Sequence, residues 1–278
     1  MANPLLETAT SADLERRFGG LARLYGADGA RKIRSAHIVV VGLGGVGSWA
    51  AEALARSGVA RLTLIDLDHI SESNINRQIH ALDNTLGQAK VEAMRERITR
   101  INPECDVRCI EEFVDAGNWP GIAGLDLDPE APVSIIDACD QVKAKTAMAA
   151  WALLHKVRRN QNSINFIAVG AAGGKRHAHK VEIEDLSLTT HDPLLAQLRY
   201  RLRKEQGAAR QGRMGVSCVF SRESVIQPVS AAGVEDDIEQ TDSSLNCHGY
   251  GSVVSVTSTF GICAAGWVLN EIASRALP

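Results

Sequence analysis

The stretch that most restricts the fold is residues 36–66, AHIVVVGLGGVGSWAAEALARSGVARLTLID. An apolar run too short for a helix meets a glycine cluster, helical apolar spacing follows as far as Gly58, and a second apolar run ends at Asp66. This order predicts a strand, a tight turn, a helix and a second, parallel strand. Gly42, Gly44, Gly45 and Gly47 stand in the turn. Glycines there permit a tight turn and let backbone N–H groups approach a phosphate closely, while the helix N-terminus adds positive dipole. Asp66 ends the second strand, where a carboxylate can accept both hydroxyls of a ribose. On this stretch alone the site is for a mononucleotide or dinucleotide, and a nicotinamide-dependent dehydrogenase stays open.

The alternation continues. A helix is expected from about residue 88 to 101, stopped by Asn102 and Pro103, followed by a short strand in CDVRCIEEF. VSIIDACD, residues 133–140, reads as a buried strand, residues 143–158 as a helix, and INFIAVGAAGG as a further strand. The expected fold class is α/β: a Rossmann-like, mainly parallel sheet with helices on both faces. Beyond Gly174 the pattern loosens, except where Asp192 can cap a helix that Pro193 begins and Gly207 ends. In that helix Leu194, Leu195, Leu198 and Leu202 share one side, leaving Arg199, Arg203 and Lys204 outward. Six basic residues against one acid lie between Arg199 and Arg213, and an acidic loop with Glu235, Asp236, Asp237, Glu239 and Asp242 follows. The expected organisation is an N-terminal segment (1–30), a nucleotide-binding core (31–175), and a substrate-facing extension (176–278) packed on the same domain.

Composition narrows the classes. With 30 Lys and Arg against 33 Asp and Glu, and 45% hydrophobic residues, the chain is neither disordered nor coated in positive charge. Nucleic acid can still be met by local patches: Arg199, Arg203 and Lys204 on the predicted helix, and Lys175 and Arg176 after the glycine turn, are the candidate contacts to phosphate. The six cysteines, at 105, 109, 139, 218, 247 and 263, form no CxxC pair, which argues against a tetracysteine zinc site or a disulfide framework. Cys218 and Cys247 read as small buried residues, with redox or sulfur chemistry as the alternative. His177 and His179 lack a third metal ligand. No secretory leader is visible, so a cytoplasmic location is expected. Residues 247–270 carry no Asp, Glu, Lys or Arg, yet serines, threonines and glycines interrupt them. A buried small-residue helix, or a strand and helix, is expected there and not a membrane span.

The segment DLDHISESNINRQ brings Asp66, Asp68, Asn74, Arg77 and Gln78 together in sequence, with Lys90 on the next helix. Hydride transfer has no use for an Asn, an Arg and a Lys converging on phosphates. Attack at the α-phosphorus of ATP does, because charge develops there and needs fixed donors.

These motifs, GLGGVGS, D-x7-N-x2-RQ, the Lys90 helix and DACD at 137–140, together resemble the adenylation core of the ubiquitin-activating, MoeB and ThiF superfamily. RFGGLARLYG, NRQIHAL, RINPEC, GAAGG, DPLLAQLR and CVFS extend a narrower similarity, to the tRNA threonylcarbamoyladenosine dehydratase group, through nearly the whole chain. The resemblance implies ATP-dependent dehydration of threonylcarbamoyl-adenosine in tRNA through an acyl-adenylate. Gly42, Gly44, Gly45 and Gly47 would form the phosphate turn and Asp66 would hold ribose. Asn74, Arg77 and Lys90 would contact the triphosphate. Asp140 would hold Mg²⁺ with the departing pyrophosphate, and Asp137 is the second candidate in the same site. A homodimer is implied, in which Arg17 or Arg23 would have to serve where relatives insert a second arginine, since Gly20 stands at that place. A cysteine desulfurase system is a further implied partner. Two other readings stand beside this one: adenylation of the C-terminal Gly-Gly of a sulfur-carrier or ubiquitin-like protein, and a non-catalytic nucleotide-binding partner of a desulfurase.

Overall fold

The computed structural model describes residues 12–125, 131–158, 164–226 and 250–274. Helices α1 (Leu14–Phe18) and α2 (Gly20–Arg34) precede strand β1 (His37–Val41). The glycine cluster then leads into α3 (Gly47–Arg56), β2 (Arg61–Ile65), α4 (Lys90–Ile101) and β3 (Asp106–Ile110). Next come β4 (Val133–Asp137), α5 (Val142–Arg158), β5 (Ile164–Val169), β6 (Val181–Asp185), α6 (Pro193–Glu205), β7 (Ser217–Ser221) and α7 (Val254–Ser274).

The strands form one seven-stranded sheet in the order β3-β2-β1-β4-β5-β7-β6. All neighbours are parallel except β6 and β7. Successive strand residues point to opposite faces, and both faces are covered, which is why β1 reads as an unbroken apolar run. Ile38 and Val40 pack with Leu62, Leu64 and Ile136 under α3, α4 and α7. Val39 and Val41 pack with Ile135, Phe166 and Phe220 under α5 and α6.

Within the uncharged stretch, the residues from Val254 onward belong to the single helix α7, and the reason for its small residues is visible. A Cβ on Gly261 would lie 2.3 Å from the Val46 carbonyl oxygen and 2.9 Å from the Ala50 nitrogen, so the helix rests directly on the start of α3. Val256, Phe260, Ala264, Ala265 and Val268 are fully buried. Among the described residues no helix is long and apolar enough to cross a membrane. The strands β6 and β7 and the helices α1 and α2 carry weaker sequence patterns. In β6 only Asp185 is buried, so VEIED lacks the apolar run of a central strand. The acidic loop and Cys247 lie outside the described residues.

Candidate functional site

The sheet order reverses between β1 and β4, whose following loops leave in opposite senses and open a crevice at the strand ends. The glycine turn lines one side of it. Gly42, with φ +85°, is held by an N–H bond to the Ile65 carbonyl at 2.9 Å, and a Cβ there would meet Ala138 and Cys139 backbone at 2.8–2.9 Å. The turn after β1 therefore touches the loop after β4. Gly47 has no room for a side chain, because its Cβ would fall 1.8 Å from the Gly42 carbonyl oxygen. At Gly44 the same construction meets nothing within 4 Å, so that peptide faces open space at the start of a helix. An anion fits such a place, with unpaired N–H groups and the α3 dipole behind it.

Asp66 ends β2 beside this turn. Its Oδ2 accepts from the Leu43 N–H, and its Oδ1 accepts from the Asp68 N–H at 2.8 Å. Burial pushes the carboxyl upward, opposed by Lys90 and by those two N–H donors. Lys90, the first residue of α4, is buried with its ammonium 2.7 Å from Asp68 and 4.0 Å from Asp66. Arg77 lies across Gly45: its Cγ and Cδ would sit 3.2 and 3.3 Å from a Cβ there. Its guanidinium donates to the Ser73 carbonyl at 2.7 Å and to Asn76 Oδ1 at 2.9 Å, while the Trp49 indole N–H holds the Arg77 carbonyl at 2.9 Å. Asn74 is buried, and its side-chain oxygen accepts from the Ser71 N–H at 3.1 Å, fixing the turn that carries Arg77. Asp140 is half-buried in the loop between β4 and α5.

Several sequence expectations need correction. Asp137 does not face the crevice: it is fully buried, with Oδ1 bonded to the Lys145 ammonium at 2.9 Å. Lys175 is not a surface cation. It is 2% exposed, and its ammonium donates to the carbonyls of His191, Ser221 and Glu223 at 2.9–3.2 Å. Arg199 turns inward, where its guanidinium holds Leu186 and Thr189 at 2.9–3.0 Å. A helical wheel assigns it outward, but a long side chain can reach back to an adjacent loop. Arg176 and Lys204 remain exposed, Lys204 over the Tyr200 ring, while half-buried Arg203 bonds the Ala209 carbonyl at 3.2 Å. Arg17 reaches Ile101 of the same chain, its guanidinium 2.7 Å from that carbonyl at the end of α4. Arg23 is exposed. Cys218 is fully buried, and burial drives its thiol well above the ordinary value, as expected of a small unreactive core residue.

Two further residues stand beside the site, and the sequence holds little sign of either. Lys145 is fully buried under the β4 end, where a lysine reads from sequence as a surface charge. Thr257 of α7 would stand 3.3 Å from a Cβ on Gly45, so the distant helix forms the floor of the phosphate turn. In the sequence only the uncharged run through residue 270 points to its placement. Among the described residues no group of three His, Cys, Asp or Glu side chains is arranged to hold a metal ion. Asp140 offers one hard carboxylate, which suits Mg²⁺ when substrate phosphates supply the other oxygens.

The ThiF family model matches residues 17–273. The chain is similar to the tRNA threonylcarbamoyladenosine dehydratase of Haemophilus influenzae, with 40% identity over 264 residues, 94% of this chain and 95% of the relative. Two solved structures of the Escherichia coli tRNA N6-threonylcarbamoyladenosine dehydratase, TcdA, share 40% identity. The complex with ATP superposes with a TM-score of 0.78 over 95% of this chain and 96% of the other. The complex with AMP gives 0.77 over 95% and 97%.

Proposed function

The chain belongs to the ThiF family, and from that premise we propose that it dehydrates threonylcarbamoyl-adenosine in tRNA at the expense of ATP. The observation that carries this reading is the reach of the similarity. At 40% identity it covers nearly all of both chains, including the part beyond the nucleotide-binding half.

The proposed assignments follow the geometry. The bare peptide at Gly44 and the N-terminus of α3 receive phosphate, and Asp66 accepts from ribose hydroxyls with lone pairs not used by Leu43 and Asp68. Arg77 and Lys90 stabilise charge that grows at the α-phosphate as the threonyl carboxylate attacks it and pyrophosphate leaves. Both exchange present contacts for phosphate: Arg77 those with Ser73 and Asn76, Lys90 that with Asp68. Asn74 acts by holding the Arg77 turn. Asp140 would hold Mg²⁺, which when bound neutralises the leaving pyrophosphate. The nitrogen of the carbamoyl group then attacks the activated carbonyl, expelling AMP and closing a ring. That attack is intramolecular and needs no protein nucleophile, in keeping with the buried, unreactive Cys218. The balance is one water lost from the nucleoside, taken up in ATP cleavage to AMP and pyrophosphate.

For the tRNA, exposed Arg176 in the loop after β5 and exposed Lys204 with half-buried Arg203 at the end of α6 are the cations that can meet phosphate oxygens. A homodimer, a desulfurase partner and a cytoplasmic location, where ATP and tRNA are both present, complete the proposal. Incubation with ATP, Mg²⁺ and threonylcarbamoylated tRNA, followed by nucleoside mass measurement, is the test. The expected product is lighter by one water, and an unchanged mass overturns the reading. A Gly-Gly-tailed carrier protein in place of tRNA should release no pyrophosphate.

A further inference from the structure

We infer that Lys145, through Asp137, is a positioning residue that sets the loop carrying Asp140 against the glycine turn. The inference rests on the proposed role of Asp140. Both members of the pair have fully buried side chains. The Lys145 ammonium donates to Asp137 twice, to Oδ1 at 2.9 Å and to the main-chain carbonyl at 3.1 Å. The same Oδ1 accepts from the Cys139 N–H at 3.3 Å and from its thiol at 3.1 Å. Lys145 also donates its own N–H to Gln141 at 3.0 Å, in the first turn of α5. One side chain thus joins the last residue of β4 to the start of α5, across the short loop Ala138, Cys139, Asp140 and Gln141. That loop is the one pressed on Gly42, and the Ala138 N–H bonds the Val41 carbonyl at 2.8 Å.

Stability alone accounts poorly for this pair. A buried ammonium and carboxylate recover their desolvation only when all their hydrogen-bonding capacity is met, and apolar replacements of similar volume often fold as well or better. Here Asp137 Oδ2 is buried and makes no hydrogen bond. What the pair provides is direction: an ammonium that bonds a carboxylate and its own carbonyl together leaves the strand end a single arrangement. Displacement of a reacting or charge-bearing group by about an ångström can cost about a hundredfold in rate.

The test uses Lys145→Met, the double variant Lys145→Met/Asp137→Leu, and Asp140→Asn for comparison, each as the full chain. Urea unfolding, ATP affinity by calorimetry, amide hydrogen exchange of residues 137–142, and ATP–pyrophosphate exchange with modified tRNA are measured. The single variant, with Asp137 unpaired, is expected to lose stability. The double variant should unfold at a midpoint equal to or above that of the parent and bind ATP within about threefold. Its kcat should fall about 10- to 100-fold, while residues 137–142 lose protection. If it is as stable and as active as the parent, or inactive with unchanged protection of 137–142, the positioning role is wrong. Full activity of Asp140→Asn would instead remove Asp140 from the reaction. If the parent itself performs no exchange, the functional reading fails, and protection of 137–142 alone decides the role of Lys145. Should the double variant not fold, Asp137→Asn, which keeps a carbonyl oxygen for Lys145, is measured in its place with the same expectations for kcat and protection.

Discussion

Two glycines of one turn, Gly44 and Gly47, answer to different demands, and substitution should separate them. A methyl group at residue 47 has nowhere to go, because the Gly42 carbonyl oxygen lies in its path. Gly47→Ala is therefore expected to cost about 1–3 kcal/mol of stability, read as a lower urea midpoint with unchanged slope. At residue 44 the methyl would enter open space, so Gly44→Ala should leave the midpoint alone and weaken ATP in calorimetry by tenfold or more. Equal losses of stability in the two variants would show that residue 44 serves the fold and not the phosphate. Arg77 stands between these cases, held by its carbonyl to Trp49 and stacked along Gly45. Arg77→Ala should lower kcat by about 10²–10³-fold with the fold intact, the scale for removing one donor from a developing oxyanion. Retained kcat would take the residue out of the chemistry.

On helix α6 a single turn of sequence divides into two functions. Asp192 caps it as expected, its Oδ1 accepting from the Leu195 N–H at 3.0 Å, but its Oδ2 also accepts from the Ala171 N–H at 2.9 Å, tying the helix to the GAAGG loop. Arg199 holds the loop before the helix in the same way. Arg199→Ala is thus expected to cost about 1–3 kcal/mol, the range for stranding buried carbonyls, and to leave tRNA affinity within about twofold. Joint replacement of Arg176, Arg203 and Lys204 should do the reverse, weakening tRNA and flattening the salt dependence of its binding while ATP affinity holds. Salt titrations of both variants decide between the two surfaces. The contrast also marks what sequence could disclose. Strands β1, β2, β4 and β5 announce themselves by apolar runs because both faces are buried. The inward Arg199, Lys175 and Lys145 do not, since burial of a long cation depends on which carbonyls the distant chain brings near. Strand β6 was hidden for a related reason: an edge strand needs little apolar character.

Across the whole molecule, acid sensitivity should be set by histidines that fold uncharged. Burial, then Lys90 and Arg97, hold His80 down to about 3, and burial, then Arg61, holds His37 down to about 4. In the unfolded chain both protonate near the ordinary value of about 6.5. Their lowered folded values mean that stability is fully present above that pH and is lost as pH falls toward 4 and 3. Buried His80 accounts for a slope of about 1.4 kcal/mol per pH unit across that window. Urea midpoints measured between neutral pH and about pH 4.5 should fall steadily, and His80→Leu should flatten the fall. A slope unchanged by that substitution would assign the acid sensitivity to other groups. The seating of Gly261 of α7 on the Val46 carbonyl, with Thr257 below Gly45, has a bearing on synthesis. A nascent chain that has made the glycine turn still lacks its floor until α7 has left the ribosome and folded back. ATP should therefore give no help to a partly made chain, and ribosome-bound intermediates should stay indifferent to it until α7 emerges.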